Sequence, residues 1–508
     1  VPDLADPAGL TRYTEQSFYG GTCFMLSAQQ CQQARLSRDK RFDGLFYIAV
    51  QSTGIYCRPV CPARLPDESG VSYYPTATAA AAAGYRPCLR CRPDSAPGSP
   101  AWQGSNSTLQ RALRLIAEGA LIDADQAALV SRLGISERYL RKLFQRELGV
   151  SPKQYALYQQ LLFAKTLLHQ TALPVVDIAL QAGFHSVRRF NDAFVKQLKL
   201  TPSQIRRKPD LTSTPMLTLK LPYRPPLNWD LLLQFWQARS LDGLEWLGQQ
   251  SYGRTFSLPA QQATLDNQTR AGWFEAAPGT DNNLQLTLYW PYPDSLNTVI
   301  AHIRRLLDLD ADLMTIEQQL LPFFGDKLQP GIRIPGVWSA WEAAVRAVLG
   351  QQVSVAGART QLNRLVSALG SDLPLQNGKK LFPTPTQILQ SDLLMIKVPQ
   401  ARRDTLWGLA KAVAAAPLAE PDSWLSVKGI GPWTVAYSKM RGLSDTDIWL
   451  AGDLGIQKAL AARQNPISPD SLSPWRSYAT LQLWFGLPAK KATTAATTDM
   501  AAKQQRTS

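Results

Sequence analysis

Ser136, Leu140, Phe144, Leu148, Val150 and Pro152 recur fifty residues downstream as Ser186, Phe190, Phe194, Leu198, Leu200 and Pro202. A repeat of that kind inside a stretch of helical periodicity, 108–208, means one small helical unit present twice. Each copy has a short helix, a glycine turn at Gly134 or Gly183, and a second helix opened by a Ser suited to N-capping. The second helices carry Arg138, Arg141 and Lys142 in one copy and Arg188, Arg189 and Lys196 in the other. This is helix-turn-helix geometry, in which the second helix enters the major groove and a tandem pair reaches successive grooves about one helical turn apart. A helical bundle with basic surfaces is the weaker alternative, because both copies share the glycine and the arginines.

The repeat accounts for only a fifth of the chain. At 508 residues, and with roughly 150 residues per domain, three or four domains are expected. Lys+Arg 54 against Asp+Glu 39 gives a formal net charge of +15, which favours a polyanionic partner. Residues 1–210 hold 26 basic and 16 acidic residues, a surplus of 10, leaving 5 for the longer remainder. No charge-free apolar run reaches the roughly 18 residues of a membrane span. The opening residues, with Asp3, Asp6, Arg12 and Glu15, lack the pattern of a secretory signal, so a cytoplasmic location is the default.

Composition divides the chain further. Residues 1–24 read as a leader without ordering pattern, and 25–94 as a small α/β domain with a turn at Thr53-Gly54. Residues 95–107 and 209–216 are Pro/Ser/Thr-rich linkers around the repeat. A β-rich part follows at 217–300, with alternation such as "LQLTLYW" at 284–290, then amphipathic helices over 301–488. The tail 489–508 has nothing to form a core. The fold class expected is multidomain, mainly α with α+β parts.

All six cysteines precede residue 92, which excludes a four-Cys iron–sulfur cluster from the remaining four-fifths. Cys57-x3-Cys61 and Cys88-x2-Cys91 have the spacing of two knuckles around one tetrahedral Zn²⁺. Spacing alone favours a structural zinc site. Arg58, Arg64, Arg86, Arg90 and Arg92 crowd the same loops, and a zinc-held thiolate stays deprotonated yet nucleophilic, which raises the chemical reading. Cys23 and Cys31 fall outside the motif, and His169, His185 and His302 read as packing or surface residues.

The segment "VVDIALQAGFHSVRRFNDAFVKQLKLTPSQIRR" resembles the AraC-family DNA-binding domain. The segments "RDKRFDGLFYIAVQSTGIYCRPVCPAR" and "YRPCLRCRPD" resemble the N-terminal domain of Ada, the bacterial sensor of methylated DNA. That resemblance implies one zinc ion on Cys57, Cys61, Cys88 and Cys91. It further implies that Cys57 accepts a methyl group irreversibly from a DNA phosphotriester. Formal charges then supply a switch: four thiolates on Zn²⁺ sum to −2, and methylating one leaves −1, which lowers repulsion towards phosphates.

In the last third, Gly429-Ile430-Gly431 opens towards a helix beginning near Pro432, where glycines let backbone N–H groups approach a phosphate. Asp453 begins another helix, a capping position that also favours its ionised form. Residues 217–488, through "GLEWLGQQSYGRTF", "VRAVLGQQVSVAGART", "GIGPWTV" and "PWRSYATLQLW", resemble the AlkA type of helix-hairpin-helix DNA glycosylase. The resemblance implies that Asp453 is the essential carboxylate and that Phe235, Trp433, Tyr437 and Trp484 line a pocket for a flipped base. Gln352 stands where such enzymes present an apolar wedge, and Trp433 where bifunctional relatives carry a nucleophilic Lys, so strand cleavage is not expected. No Cys follows Cys91, so thiol repair of O6-alkylguanine is not expected either.

Together the three resemblances imply a bacterial alkylation-response protein. It joins a zinc methyl acceptor, a transcription activator and a glycosylase for 3-methyladenine and 7-methylguanine. Its expected partners are alkylated and promoter double-stranded DNA and RNA polymerase, in a monomeric, nucleoid-associated protein. The alternatives are a regulator with a structural zinc site and an inactive glycosylase-like domain, and an enzyme merely anchored to DNA by its front half.

Overall fold

Contacts along the chain separate Val1–Gly104 from Ser105–Ser508. The computed structural model describes residues 26–486 apart from 39–41, 44, 76, 89, 92, 94–104, 123–124, 207–215, 259–269, 293, 375–377 and 464–465. The leader at 1–24, Cys23, Arg92, most of both linkers and the tail at 489–508 therefore lie outside the described residues.

In the first unit, α1 (Ala28–Ser37) starts from a capping box between Ser27 and Gln30. A four-stranded sheet follows in the order β3-β1-β2-β4, made of β1 (Tyr47–Val50), β2 (Ile55–Cys57), β3 (Val71–Tyr74) and β4 (Arg86–Pro87). The period-2 rule sends Ile48 and Val50 towards Cys31 and Ala34 of α1, and Tyr47 and Ala49 towards Ala80 of α2 (Ala77–Ala82). Gly54 makes the expected β1–β2 turn at φ 63. Strands β2 and β4 run parallel, pairing Tyr56 with Pro87, so the next residue of each, Cys57 and Cys88, leaves the same end of the sheet.

The second unit opens with α3 (Ser105–Ala117), which begins inside the stretch expected to be linker. Ser105-Asn106-Ser107 has linker composition, but the buried Leu109, Ala112, Leu115 and Ile116 behind it extend the helical face. Next come α4 (Gln126–Leu133), α5 (Glu137–Leu148), α6 (Pro152–Gln170), α7 (Val175–Gln181), α8 (Val187–Leu198) and α9 (Pro202–Ile205). The repeat has the physical basis its pattern suggested. Ser136 accepts from the Tyr139 amide and Ser186 from the Arg189 amide, while Leu140, Phe144, Phe190 and Phe194 are fully buried.

An antiparallel sheet follows in the order β5-β9-β8-β7-β6. Its strands are β5 (Met216–Pro222), β6 (Glu245–Leu247), β7 (Tyr252–Leu258), β8 (Arg270–Pro278) and β9 (Asn283–Tyr289), with α10 (Trp229–Gln237) between β5 and β6. The helical remainder consists of α11 (Leu296–Leu306), α12 (Leu313–Phe324), α13 (Ala340–Gly350), α14 (Val355–Leu369), α15 (Pro385–Leu389), α16 (Gln400–Ala415), α17 (Pro432–Leu443), α18 (Leu454–Ala461) and α19 (Arg476–Phe485). Among the described residues no helix is long and apolar enough to cross a membrane.

The second helical repeat is built into this sheet. Leu167, Ile178 and Phe190 belong to one continuous core with Leu219, Phe274, Leu286 and Val299. Polar contacts fix the register. The side-chain amide of Gln170 donates to the Lys220 carbonyl at 3.3 Å and accepts from its N–H at 2.7 Å, as a neighbouring strand would on the edge of β5. Gln181, 6 % exposed, donates to the Tyr292 carbonyl at 2.8 Å and accepts from the Leu296 N–H at 3.1 Å.

Candidate zinc and base-excision sites

The sulfurs of Cys57, Cys61, Cys88 and Cys91 all lie within 4.8 Å of one another. Zn–S bonds of about 2.3 Å in a tetrahedron imply S–S edges of about 3.8 Å. Cys61 and Cys88 sit 3.9 Å apart, fitting such an edge and far beyond a disulfide bond. The Arg58 N–H points at Cys91 Sγ from 3.4 Å, a second contact suited to a thiolate. Hydrogen bonds from Cys57 and Cys91 hold the Cys61 thiol down, and the contacts with Cys61 and Cys91 push the Cys57 thiol up. Four sulfurs this close need a cation to be ionised together. Cys57 is the most accessible of the four, the others being 6–8 % exposed.

The arginines around this quartet divide. Arg58 is buried, bonded to the Cys91 carbonyl at 3.0 Å and ion-paired with Asp43 through Nε at 2.8 Å, so it holds the loops in place. Arg64, Arg86 and Arg90 are exposed. Cys31 is buried in the α1 core, away from the quartet.

In the helix-turn-helix pair, Arg138, Arg141 and Lys142 of α5 and Arg188 and Arg189 of α8 are exposed. Arg141 is paired with Glu137 at 2.9 Å, one turn back on the same helix.

The hairpin at Gly429–Gly431 leads into α17, with Pro432 in the first turn. Its two glycines serve different ends. Gly429 has φ +90, and a Cβ there would lie 2.1 Å from Thr405 Oγ1, whereas a Cβ on Gly431 meets nothing within 4 Å. The first glycine is demanded by the chain; the second leaves room for something outside it. Gln352 sits exposed at φ 56 in the turn between α13 and α14. Its neighbour Gln351 ties that turn to the hairpin, donating to Thr434 Oγ1 at 3.1 Å and the Gly429 carbonyl at 3.3 Å.

Asp453 caps α18, as its position suggested. Its Oδ1 accepts from the Gly455 and Ile456 amides at 2.9 and 3.1 Å and from Trp484 Nε1 at 3.0 Å. Trp433 and Tyr437, one turn apart on α17, stack at 5.3 Å, and Tyr437 lies 6.5 Å from Trp484. The Trp433 indole N–H is buried with no acceptor among the described residues. Thus Asp453, Trp433, Tyr437 and Trp484 are gathered from three successive helices, α17, α18 at its cap, and α19. Phe235 joins them as a packed support. It is 5 % exposed, with the guanidinium groups of Arg239 and Arg441 3.8 and 4.8 Å from its ring centre.

These arginines carried no sequence signal. Arg441 donates to the Tyr437 hydroxyl at 2.8 Å, fixing that ring. Burial pulls Arg239 down to about 10, against the opposing charge of Tyr437 and Asp453. Its carbonyl is held by Arg346 at 3.1 Å, part of a buried network in which Arg346 meets Glu245 at 2.8 Å and Arg254 meets Glu342 at 2.7 Å. Buried pairs of this kind contribute orientation more than net stability.

Comparison with known proteins fits this division. The metal binding domain of Ada matches residues 30–94, a helix-turn-helix domain 129–208, and the AlkA N-terminal domain 218–339. With the sulfur geometry, the first match makes the quartet a site for one zinc ion. A probable bifunctional transcriptional activator/DNA repair enzyme AlkA from Mycobacterium tuberculosis is 36% identical, covering 90% of this chain and 96% of its own length. DNA-3-methyladenine glycosylase 2 of Escherichia coli is 28% identical over 52% of this chain and 96% of itself. The bifunctional transcriptional activator/DNA repair enzyme Ada of Escherichia coli is 35% identical over 36% of this chain, which spans half of that protein. Matched almost end to end by the mycobacterial protein, with the quartet, the paired helical repeats and the hairpin all in place, the chain belongs to the family of bifunctional AlkA-type transcriptional activator/DNA repair proteins.

Proposed function

We propose that the chain repairs alkylated DNA and signals its presence: a monofunctional glycosylase excising 3-methyladenine and 7-methylguanine, joined to a zinc-thiolate methyl acceptor that turns a helix-turn-helix activator on. The arrangement of Asp453 carries the excision reading. All three of its hydrogen-bond donors fall on Oδ1, which leaves Oδ2 without a partner among the described residues. One oxygen is locked and the other is available to face a sugar. As the C1′–N bond lengthens, that carboxylate stabilises the oxocarbenium-like sugar and orients water for attack on C1′. The electron pair leaves with the base, and the positive ring charge of an N-alkylated purine makes it a good leaving group without a strong general acid. Trp433 and Tyr437 supply the stacking surface. Arg239 and Arg441 add positive charge behind Phe235, so retention of a cationic base rests on these rings and on Asp453.

At the other site, bound zinc keeps the sulfurs deprotonated. Cys57, as the accessible member, attacks the methyl carbon of a phosphotriester. The S–C bond forms, the C–O bond breaks, and its electron pair returns to the phosphate as a diester. The quartet then carries one negative charge fewer, which strengthens binding of Arg138, Arg141, Lys142, Arg188 and Arg189 to promoter DNA and permits recruitment of RNA polymerase by the monomer.

One preparation tests both halves. Incubated with methylated duplex, the protein is expected to release free alkylpurines and to gain one methyl mass on the peptide containing Cys57. Retention of lesion DNA without base release would instead make it a damage-binding regulator.

A further inference from the structure

Outside both sites, an arginine cluster lies at the seam between the first helical repeat and the glycosylase. Arg111 and Arg114, three residues apart on α3, both reach Glu420 Oε1, at 2.9 and 3.1 Å. Arg111 also donates to the Arg132 carbonyl at 2.6 Å, which draws the end of α4 to the same place. Deeper in, Arg305 of α11 lies 3.8 Å from Glu118 at the end of α3. Four arginines thus face two carboxylates, a surplus of two positive charges. Arg114 Nε is buried without a hydrogen-bond partner among the described residues, and the Arg132 guanidinium makes neither a hydrogen bond nor an ion pair with any of them. Burial lowers Arg132, against the pull of Glu118 and Glu420, as for a cation held near carboxylates yet paired with neither.

Position gives this surplus a partner. Glu420 stands at the start of a 3-10 turn, Pro421–Ser426, that runs into the Gly429–Gly431 hairpin. Six residues of that helix span about 12 Å, the axial rise of roughly four base pairs. On the other side, Arg132 lies in the first helix of a helix-turn-helix, the element that crosses the DNA backbone while the next helix enters the groove. Helix α6 joins the two repeats, with Ala156 in the core of the first and Leu161 in the core that the second shares with the sheet.

We propose that the arginine seam formed by Arg111, Arg114 and Arg132 is a phosphate-binding surface, so that one duplex held by the glycosylase hairpin continues across it onto the first helical repeat. This rests on the reading of the hairpin as a phosphate contact. The occupant is duplex DNA, because only a long polyanion reaches both places at once. Damage is then gripped by a footprint longer than a glycosylase alone provides.

The test is the salt dependence of binding, by anisotropy, of the full chain to a duplex carrying a stable abasic-site analogue. Loss of one phosphate contact lowers the slope of log K against log[salt] by about 0.9. Arg132→Ala is expected to lower the slope by that amount and to erase hydroxyl-radical protection on one flank of the lesion, while Arg132→Lys keeps both. Gly431→Ala is run alongside. If it weakens binding while Arg132→Ala changes neither slope nor footprint, the seam proposal is overturned and the hairpin reading stands. If neither variant changes binding, both fall. A circular dichroism spectrum identical to that of the unaltered protein confirms that each variant has folded.

Discussion

The indole N–H of Trp484 donates to Oδ1 of Asp453 at 3.0 Å, joining the last described helix to the cap of α18. The bond orients a carboxylate that also closes a helix, so capping and chemistry share one side chain. Substitution can separate them. Asn caps a helix about as well as Asp but carries no charge. Asp453→Asn should leave the melting temperature nearly unchanged and slow single-turnover release of 7-methylguanine by about 10²–10³-fold.

Trp484→Phe keeps an aromatic ring, though a smaller one, and removes the donor. Base release should fall by roughly ten-fold through loss of Asp453 orientation, about the value of one charge-assisted hydrogen bond. Binding of an abasic-site duplex should change little. An equal loss in both would show that the indole acts in DNA binding instead.

The two hairpin glycines should behave oppositely. Gly429→Ala forces a Cβ to 2.1 Å from Thr405 Oγ1 at φ +90 and should destabilise the chain by about 2 kcal/mol in urea unfolding. Gly431→Ala finds open space and should unfold normally, yet bind duplex DNA more weakly because the methyl group keeps the phosphate away.

Cys57→Ala should abolish methyl uptake while three buried sulfurs still retain zinc with reduced affinity, as read by a chromogenic chelator. Cys88→Ala, in the residue after β4, should lower zinc affinity further, because it removes a buried ligand, and should destabilise the sheet of the first unit. Chelation of the unaltered protein should destabilise the same sheet and leave base release intact.

How far did the sequence reach? Ser136 and Ser186 announced their helices because capping is a local interaction, and the cysteine pairs announced a metal because ligand spacing is local too. Trp433, Tyr437, Asp453 and Trp484 came from family resemblance, and the chain brings them together. Arg239 and Arg441 had no such sign, since their partners lie on other elements and an arginine within a helix is unremarkable in one dimension. The same is true of Gln170 and Gln181. Polar residues at a helix end read as solvent-facing, and only the sheet beside them gives them partners.

His302, with Arg305 and Glu118 as its charged neighbours, makes the stability of the fold depend on pH. It is enclosed by Trp338 and Arg305, and burial together with the Arg305 charge lowers it to about 4. A histidine depressed in the folded state binds fewer protons than in the unfolded chain between about pH 6.5 and 4, so stability is lost as pH falls through that window. Asp308, raised to about 6 by burial, works in the opposite sense over a similar range and masks the effect in the unaltered protein. The comparison is therefore with His302→Gln. The stability difference between the two proteins should shift by about 2 kcal/mol against the histidine form from pH 7 to pH 4.

Because Gln170 supplies β5 with the hydrogen bonds of a missing neighbour, severing the chain at 209–215 would not yield two tidy halves. A fragment starting at Met216 would present an open strand border to solvent, a template on which identical fragments could polymerise. Anyone trimming this protein for crystallisation or biotechnology should cut ahead of Ser105, or replace the lost amide with a charged guard on that border.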